Sequence, residues 1–184
     1  MFADRLDLRR LTAAGHSFGG AAALQWCRDD PRCTAAANLD GALWTEVGRL
    51  GLPRPVLQVL AQHPEFDLPP GEAVGAGIAP DPDWYAAEKS VTVDGWATVD
   101  RTGRPAVSRQ LIGATHMSFM DIPFLPVTPD APARRMLTGT LADRIRTRSL
   151  INALLVPFLA GAEMSTVLTA DEVRTSTKAF PSSR

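Results

Sequence analysis

Six residues, Gly15-His16-Ser17-Phe18-Gly19-Gly20, restrict the possible fold of this chain more than any other part of its sequence. A short apolar run that ends at Ala14 precedes them, and an alanine-rich stretch follows them to about Asp29. An apolar run, a cluster of glycines and an alanine-rich stretch predict a strand, a tight turn and a helix. Asp30-Pro31 ends the predicted helix.

The spacing Gly15-x-Ser17-x-Gly19 is that of a nucleophile elbow, in which a serine lies on a sharp turn between strand and helix. Side chains at positions 15 and 19 are expected to clash across this turn, and Gly20 is expected to let the helix pack closely on the strand. The Ser17 hydroxyl would stand clear of the backbone, where the N–H of Phe18 can donate to a developing oxyanion. An ordinary glycine-rich loop is the alternative, but the predicted strand and helix on either side favour the elbow.

Three further apolar runs predict the rest of a parallel sheet. They cover Cys33 to Leu39, Val56 to Ala61 and Ser108 to Ala114. Runs that are apolar throughout and are separated by helices are typical of parallel strands buried on both faces. The length of 184 residues suggests one domain over residues 1–184, of the α/β class, with a mostly parallel sheet and flanking helices.

The segments between and after these strands carry weaker signals. A flexible loop rich in proline and glycine is predicted over residues 64–83, followed by a short helix that Asp83 caps and that runs through Ser90. A hairpin-like piece with a turn around Arg101 to Pro105 and an irregular segment from Asp121 to Pro132 come next. An amphipathic helix is predicted from Thr140 to Ala160 and a polar tail over 165–184. Pro157 should kink the long helix or mark its last turn.

A serine nucleophile needs a base, and the chain has three histidines. His16 lies inside the elbow and cannot fold back onto Ser17, so it is expected to pack beside the site. His63 precedes a proline and is most simply a loop histidine. His116 follows the fourth strand and comes after the serine and a candidate acid, which is the chain order serine, acid, histidine of α/β hydrolases. His116 is therefore the predicted base.

The acid that orients the base is predicted to be Asp40, which stands at the end of the second strand. Parallel strands bring their carboxyl ends to one edge of a sheet, where open α/β folds bind ligands. Ser17, Asp40 and His116 each follow a strand, so all three are expected at that edge. Glu65 and Asp67, just after the third strand, are the alternatives for the acid.

These motifs resemble those of the plasma-type platelet-activating factor acetylhydrolases, also called lipoprotein-associated phospholipases, and their bacterial relatives. The elbow run to Ala21, the pair Leu39-Asp40 and the stretch His116-Met117-Ser118-Phe119-Met120-Asp121 match the family's three motifs in order. The resemblance implies an α/β-hydrolase fold and hydrolysis of carboxylic esters, such as short or oxidised acyl groups of phospholipids, without metal or cofactor. It also implies that Ser17 attacks the acyl carbon, His116 carries the proton and Asp40 orients the imidazole.

The chain departs from that family because only 16 residues precede Ser17. It is therefore expected to correspond to the C-terminal half of such a hydrolase, without the N-terminal strands, with Phe18 as one oxyanion donor and no visible second donor. A non-catalytic remnant or interaction module is one alternative, and a general lipase or polyester hydrolase is another. Candidate pocket residues are His16, Trp44, Phe66 and Phe119.

The charge and the apolar stretches of the sequence limit which kinds of partner the protein can bind. The formal net charge is −1, and the absence of a long basic run argues against a nucleic-acid partner. No apolar stretch approaches the ~20 residues of a membrane span. Met1 to Arg10 lack a signal-peptide core, so the chain as given is expected to be cytoplasmic, or secreted if a preceding part carries a signal.

Cys27 and Cys33 have no metal-binding spacing and are expected to be reduced thiols rather than a local disulfide. Oligomeric state is left open.

Overall fold

A computed structural model of the protein describes residues 7–121 and 141–179. The strands are β1 (Leu11–His16), β2 (Cys33–Leu39), β3 (Val56–Leu60), β4 (Ala106–Leu111) and β5 (Thr177–Ala179). The α-helices are α1 (Phe18–Asp29), α2 (Glu46–Leu50), α3 (Pro70–Gly75), α4 (Pro82–Lys89), α5 (Gly95–Thr102), α6 (Leu141–Leu159), α7 (Met164–Thr169) and α8 (Asp171–Ser176). Two 3₁₀ turns, Pro64–Asp67 and His116–Phe119, and a π-helical turn, Ser90–Asp94, complete the described elements.

The described strands form one sheet in the order β1-β2-β3-β4-β5. The first four strands are parallel, and β5 pairs with β4 in the antiparallel direction. Every residue of β3 is buried, as expected for a central strand covered on both faces. The order puts the carboxyl ends of β1 to β4 side by side along one edge of the sheet.

Two hydrophobic clusters cover the two faces of the sheet, because successive side chains of a strand point to opposite sides. Val56 and Leu60 of β3 belong to the cluster that includes Leu24 of α1 and Trp96 of α5. Leu57 and Val59 belong to the other cluster, which includes buried side chains of α6, namely Leu150, Leu154 and Phe158. Pro157 lies in the last turn of α6, as one of the two predicted outcomes.

Ser17 lies on the turn between β1 and α1 with backbone angles φ 58° and ψ −130°, which L-residues rarely adopt. A Cβ at Gly15 would collide with the backbone of Gly19, and a Cβ at Gly20 would collide with the Asn38 side chain and approach the Gly15 carbonyl oxygen to 2.9 Å. The prediction that a side chain at position 19 would clash is wrong, because a Cβ there would meet open space. The turn therefore depends on Gly15 and Gly20.

Several weaker predictions need correction, because short helices form in segments whose prolines, glycines and polar residues predicted loops and turns. The segment 64–83 contains a 3₁₀ turn and α3, and Asp81 rather than Asp83 caps α4 through the N–H of Trp84. The predicted hairpin-like piece is instead a π-helical turn followed by α5. The predicted tail contains α7, α8 and β5 up to Ala179. Residues 180–184, and the predicted irregular segment beyond Asp121, lie outside the described residues.

The prediction of two reduced thiols is also wrong. Cys27 at the end of α1 and Cys33 at the start of β2 form a disulfide across a Cα–Cα distance of 5.0 Å. The bond is possible because α1 turns back onto the sheet through only three residues, so that both cysteines enter the same hydrophobic cluster. Spacing alone did not reveal that both side chains point into it.

The close contact between α1 and β2 predicts opposite effects of two neighbouring glycine substitutions. Gly20→Ala should lower the free energy of unfolding by roughly 1–3 kcal/mol, because its methyl group has to displace the Asn38 side chain. Gly19→Ala should leave stability unchanged or slightly raised, since its methyl group enters open space and alanine favours helix. Urea unfolding of both variants measures this, and equal losses would contradict the assigned packing.

Candidate active site

Three side chains from the ends of three strands meet at the carboxyl edge of the sheet. Ser17 follows β1, Asp40 follows β2 and His116 lies in the 3₁₀ turn after β4. The Ser17 Oγ atom is 3.0 Å from His116 Nε2, and His116 Nδ1 is 2.8 Å from Asp40 Oδ2. The structure therefore brings the predicted nucleophile, base and acid into one hydrogen-bonded chain.

The order of donors in this chain follows from its chemistry. An ionised carboxylate only accepts, so His116 Nδ1 donates its N–H to Asp40. In the neutral imidazole the other nitrogen, Nε2, then carries a lone pair, which accepts the Ser17 O–H. This is the tautomer that lets the imidazole take the serine proton.

A rigid turn holds Asp40 in position. Asp40 has a left-handed φ of 56°, and its N–H donates to the Val59 carbonyl over 2.9 Å. The Asn38 side-chain amide closes the turn by donating to the Gly41 carbonyl and accepting the Gly41 N–H, each over 2.9 Å. The Trp96 indole N–H also donates to the Gly41 carbonyl. Asn38 is fully buried and was not predicted, since a single asparagine before Leu-Asp carries no signal.

The Asp40 carboxylate is buried and well supplied with donors. Burial works to raise the pKa of Asp40, but hydrogen bonds from His116, His63 and the Ala61 N–H, together with the His63 charge, bring it down to about 2. The Ala61 N–H donates to Oδ1 over 2.7 Å. Asp40 is therefore ionised at neutral pH.

His63 is not a simple loop histidine. Its Nε2 lies 3.0 Å from Asp40 Oδ1, and its Nδ1 lies 2.8 Å from Glu65 Oε1. Burial works to lower the pKa of His63, but the hydrogen bonds to the two carboxylates outweigh it and raise the pKa to about 9. Of the two alternatives for the acid, Glu65 thus contacts His63, and Asp67 is exposed to solvent.

Two of the predicted pocket residues lie behind the base and not in the cleft. His16 Nε2 is 3.2 Å from the His116 carbonyl oxygen, and its ring stacks on Phe119 at 5.6 Å between centroids. Burial, followed by the nearby His116, lowers the pKa of His16, which favours the neutral ring that can donate to this carbonyl. His16 and Phe119 therefore support the turn that carries His116.

A cleft of about 330 Å³ opens beside Ser17. Aromatic side chains line it, namely Phe18, Trp44, Phe66 and Trp96, and the first two are 77% and 57% exposed at its mouth. Asp40, Glu65 and Glu88 also line it, whereas no lysine or arginine does within the described chain. Burial raises the pKa of Glu88. The lining therefore offers apolar rings and acidic groups to a ligand.

The N–H of Phe18, at the start of α1, is available to an anion. The N–H groups of Gly20 and Ala21 both donate to the Ser17 carbonyl, whereas Phe18 is the first helical residue and its N–H has no acceptor within the helix.

Within residues 7–121 and 141–179 the side chains form no group of three or more that could hold a metal ion. None of the helices in those ranges is long and apolar enough to cross a membrane.

The His63 contacts predict how stability depends on pH. Because the pKa of His63 rises from 6.5 to about 9 in the folded protein, its contribution is fully present below pH 6.5 and is lost as pH rises through about 9. The loss should be on the order of 3 kcal/mol. Urea unfolding between pH 6 and 10 measures it. His63→Gln should be less stable at pH 6 and should lack this decline, and an unchanged decline would contradict the assignment.

Comparisons with known proteins support the architecture. A ferulic acid esterase from Streptomyces cinnamoneus has a similar solved structure, with a TM-score of 0.64 and 22% sequence identity. The match covers 96% of this chain and 48% of the esterase, so the chain spans about half the length of that protein. No protein-family model matches the chain, and no curated protein matches it. The parallel sheet and this structural likeness together confirm the predicted α/β-hydrolase fold.

Proposed function

We propose that the protein is a serine-dependent carboxylic ester hydrolase that works through an acyl-enzyme. The observation that carries the proposal is the chain of two hydrogen bonds, 3.0 Å and 2.8 Å long, from Ser17 through His116 to the buried Asp40. The α/β-hydrolase fold and the ferulic acid esterase that shares it support the same reaction class.

The geometry supports a definite sequence of steps. Ser17 Oγ attacks the acyl carbon while its proton passes to His116 Nε2, and the negative carbonyl oxygen accepts the Phe18 N–H. The tetrahedral intermediate then expels the alcohol, which takes the proton from His116. Water, activated by His116, attacks the acyl-enzyme and releases the acid and Ser17. Asp40 remains ionised and stabilises the imidazolium in both halves of the reaction.

The cleft favours an uncharged ester of modest size. Its aromatic walls suit an apolar or aromatic group. In the described part of the chain its carboxylates outnumber its one cation, His63, and so disfavour an anionic group close to Ser17. Platelet-activating-factor-type phospholipids fit this cleft through their short acyl groups, with the phosphate held away from it, and general lipid or polyester hydrolysis is the alternative substrate class. A non-catalytic remnant or interaction module is the alternative function.

A fluorophosphonate probe tests the nucleophile. The protein should be labelled at Ser17, and Ser17→Ala should lose labelling and ester hydrolysis while keeping the wild-type circular dichroism spectrum, because the hydroxyl is not part of the core. Mass spectrometry of the labelled peptide identifies the residue. Folded wild-type protein that takes no label would support the non-catalytic alternative.

Substitutions of two carboxylates test the acid. Asp40→Asn should lower kcat by about 10⁴, since an amide can favour the wrong imidazole tautomer. Asp67→Asn removes an exposed carboxylate and should leave kcat within a factor of two to three of the wild-type value. Steady-state hydrolysis of p-nitrophenyl acetate measures both. A larger loss in Asp67→Asn than in Asp40→Asn would contradict the assignment of the acid.

A charge series tests the substrate class. Neutral aryl esters with acetyl and butyryl groups should be hydrolysed with a kcat/KM at least tenfold higher than matched esters that carry a carboxylate on the acyl chain, because acidic side chains line the cleft. Glu88→Gln should narrow this ratio. A preference for the anionic ester would contradict the proposed specificity while leaving the reaction class intact.

The disulfide is evidence on the cellular compartment in which the protein works. Disulfides persist mainly in oxidising environments, so the Cys27–Cys33 bond favours the secreted alternative over the cytoplasmic one. Alkylation of unreduced protein from its native source, followed by mass spectrometry, would distinguish them, since free thiols at both positions would contradict secretion into an oxidising compartment.

A further inference from the structure

The Asp40 carboxylate is shared between two imidazoles. His116 Nδ1 contacts Oδ2 at 2.8 Å, and His63 Nε2 contacts both oxygens, at 3.0 Å and 3.1 Å. Glu65 then holds the far side of His63 at 2.8 Å. The hydrogen-bonded chain from Ser17 therefore does not end at the acid but continues to a second histidine and a second carboxylate.

The partners of the two imidazoles require different protonation states. Both ring nitrogens of His63 face carboxylate oxygens, which accept hydrogen bonds and cannot donate them when ionised. Each nitrogen of His63 must therefore carry a proton. His116 faces a carboxylate on one side and a hydroxyl, which can donate, on the other. His63 is thus held as a cation, whereas His116 has one partner that accepts, Asp40, and one that can donate, Ser17.

Carboxylates on both sides of His63 stabilise this cation against the cost of its burial. Its side chain is 16% exposed, and its ring lies 5.3 Å from that of Trp96 and 5.9 Å from that of Phe66. The charged and titratable side chains that share its two bordering cavities come from several elements: Asp40 after β2, Glu65 and Asp67 in the 3₁₀ turn, Glu88 and Lys89 in α4, His116 after β4 and Lys178 in β5. Of these, only carboxylates are hydrogen-bonded to His63 within the described chain.

We propose that His63 is a positioning residue for the hydrolase, a protonated imidazole locked by Glu65 that holds the Asp40 carboxylate and offsets its charge at His116. The proposal rests on the proposed function. A carboxylate next to a histidine favours the protonated base, whereas a fixed cation behind that carboxylate opposes this effect. His63 would thus keep His116 available as a base at lower pH than a triad with an uncompensated acid.

The pH dependence of kcat/KM for p-nitrophenyl acetate tests the role of the charge. In His63→Gln, which keeps a side-chain N–H near Asp40 without the charge, the acid limb should move up by about one pH unit. In Glu65→Gln, His63 loses one of the two carboxylates that hold it as a cation, and the acid limb should move up in the same direction by a smaller amount. Asp67→Asn, which removes a carboxylate from the same turn, is the matched control and should move neither limb.

A purely structural role predicts a different result. If His63 only holds the turn, His63→Gln and Glu65→Gln should lower stability or lower kcat equally at every pH, with both limbs unmoved. Limbs that stay in place within 0.2 pH unit in both folded variants would overturn the proposal.

Nuclear magnetic resonance of the ¹⁵N-labelled protein keeps the proposal testable if a variant does not fold or no hydrolysis is found. At pH 7.5 the wild type should show two protonated ring nitrogens for His63, assigned by elimination of the His16 and His116 signals in His16→Gln and His116→Gln. A neutral His63 ring would overturn the proposal. Loss of Ser17 labelling together with an imidazolium at His63 would instead count against the proposed hydrolase, so the two failures are distinguishable.

Discussion

The buried carboxylate of Asp40 is the interaction on which the rest of the site depends. A charge in this position is stable only because donors surround it: the Ala61 N–H, His63 and His116. Two of these donors, Ala61 and His63, follow β3, and the third lies in the turn after β4, so the charge ties both segments to the end of β2. The same contacts that make burial of the charge possible also orient the imidazole toward Ser17.

The close packing of α1 on the sheet at the Ser17 turn also fixes the geometry of the site. Asn38 lies against both the Ser17 turn and the Asp40 turn, since its side chain closes the Asp40 turn and a Cβ at Gly20 would collide with it. One buried amide on β2 therefore packs against α1 at Gly20 and closes the turn that carries Asp40. This shared dependence explains why an asparagine without an apparent motif is fully buried at the centre of the site.

The sequence predicted those features that local pattern controls. Strand β2 has the predicted bounds Cys33–Leu39, because an apolar run closed by Asp-Gly leaves little choice. Ser17, Asp40 and His116 could be grouped because parallel strands deliver their carboxyl ends to one edge. Helix α5 was missed because glycines at both of its ends, Gly95 and Gly103, suggest turns, although Trp96 and Val99 lie three residues apart on the face that packs into the core.

By itself, the sequence determined the strand, turn and helix at the elbow, the parallel sheet and the three residues that meet at its edge, since these follow from periodicity, glycine spacing and chain order. Only the tertiary structure decided that a side chain at position 19 would meet open space, that Cys27 meets Cys33 and that His63 contacts Asp40. These features depend on distances between residues from different elements. No spacing along one segment encodes such distances, because they arise when the sheet and its helices pack together.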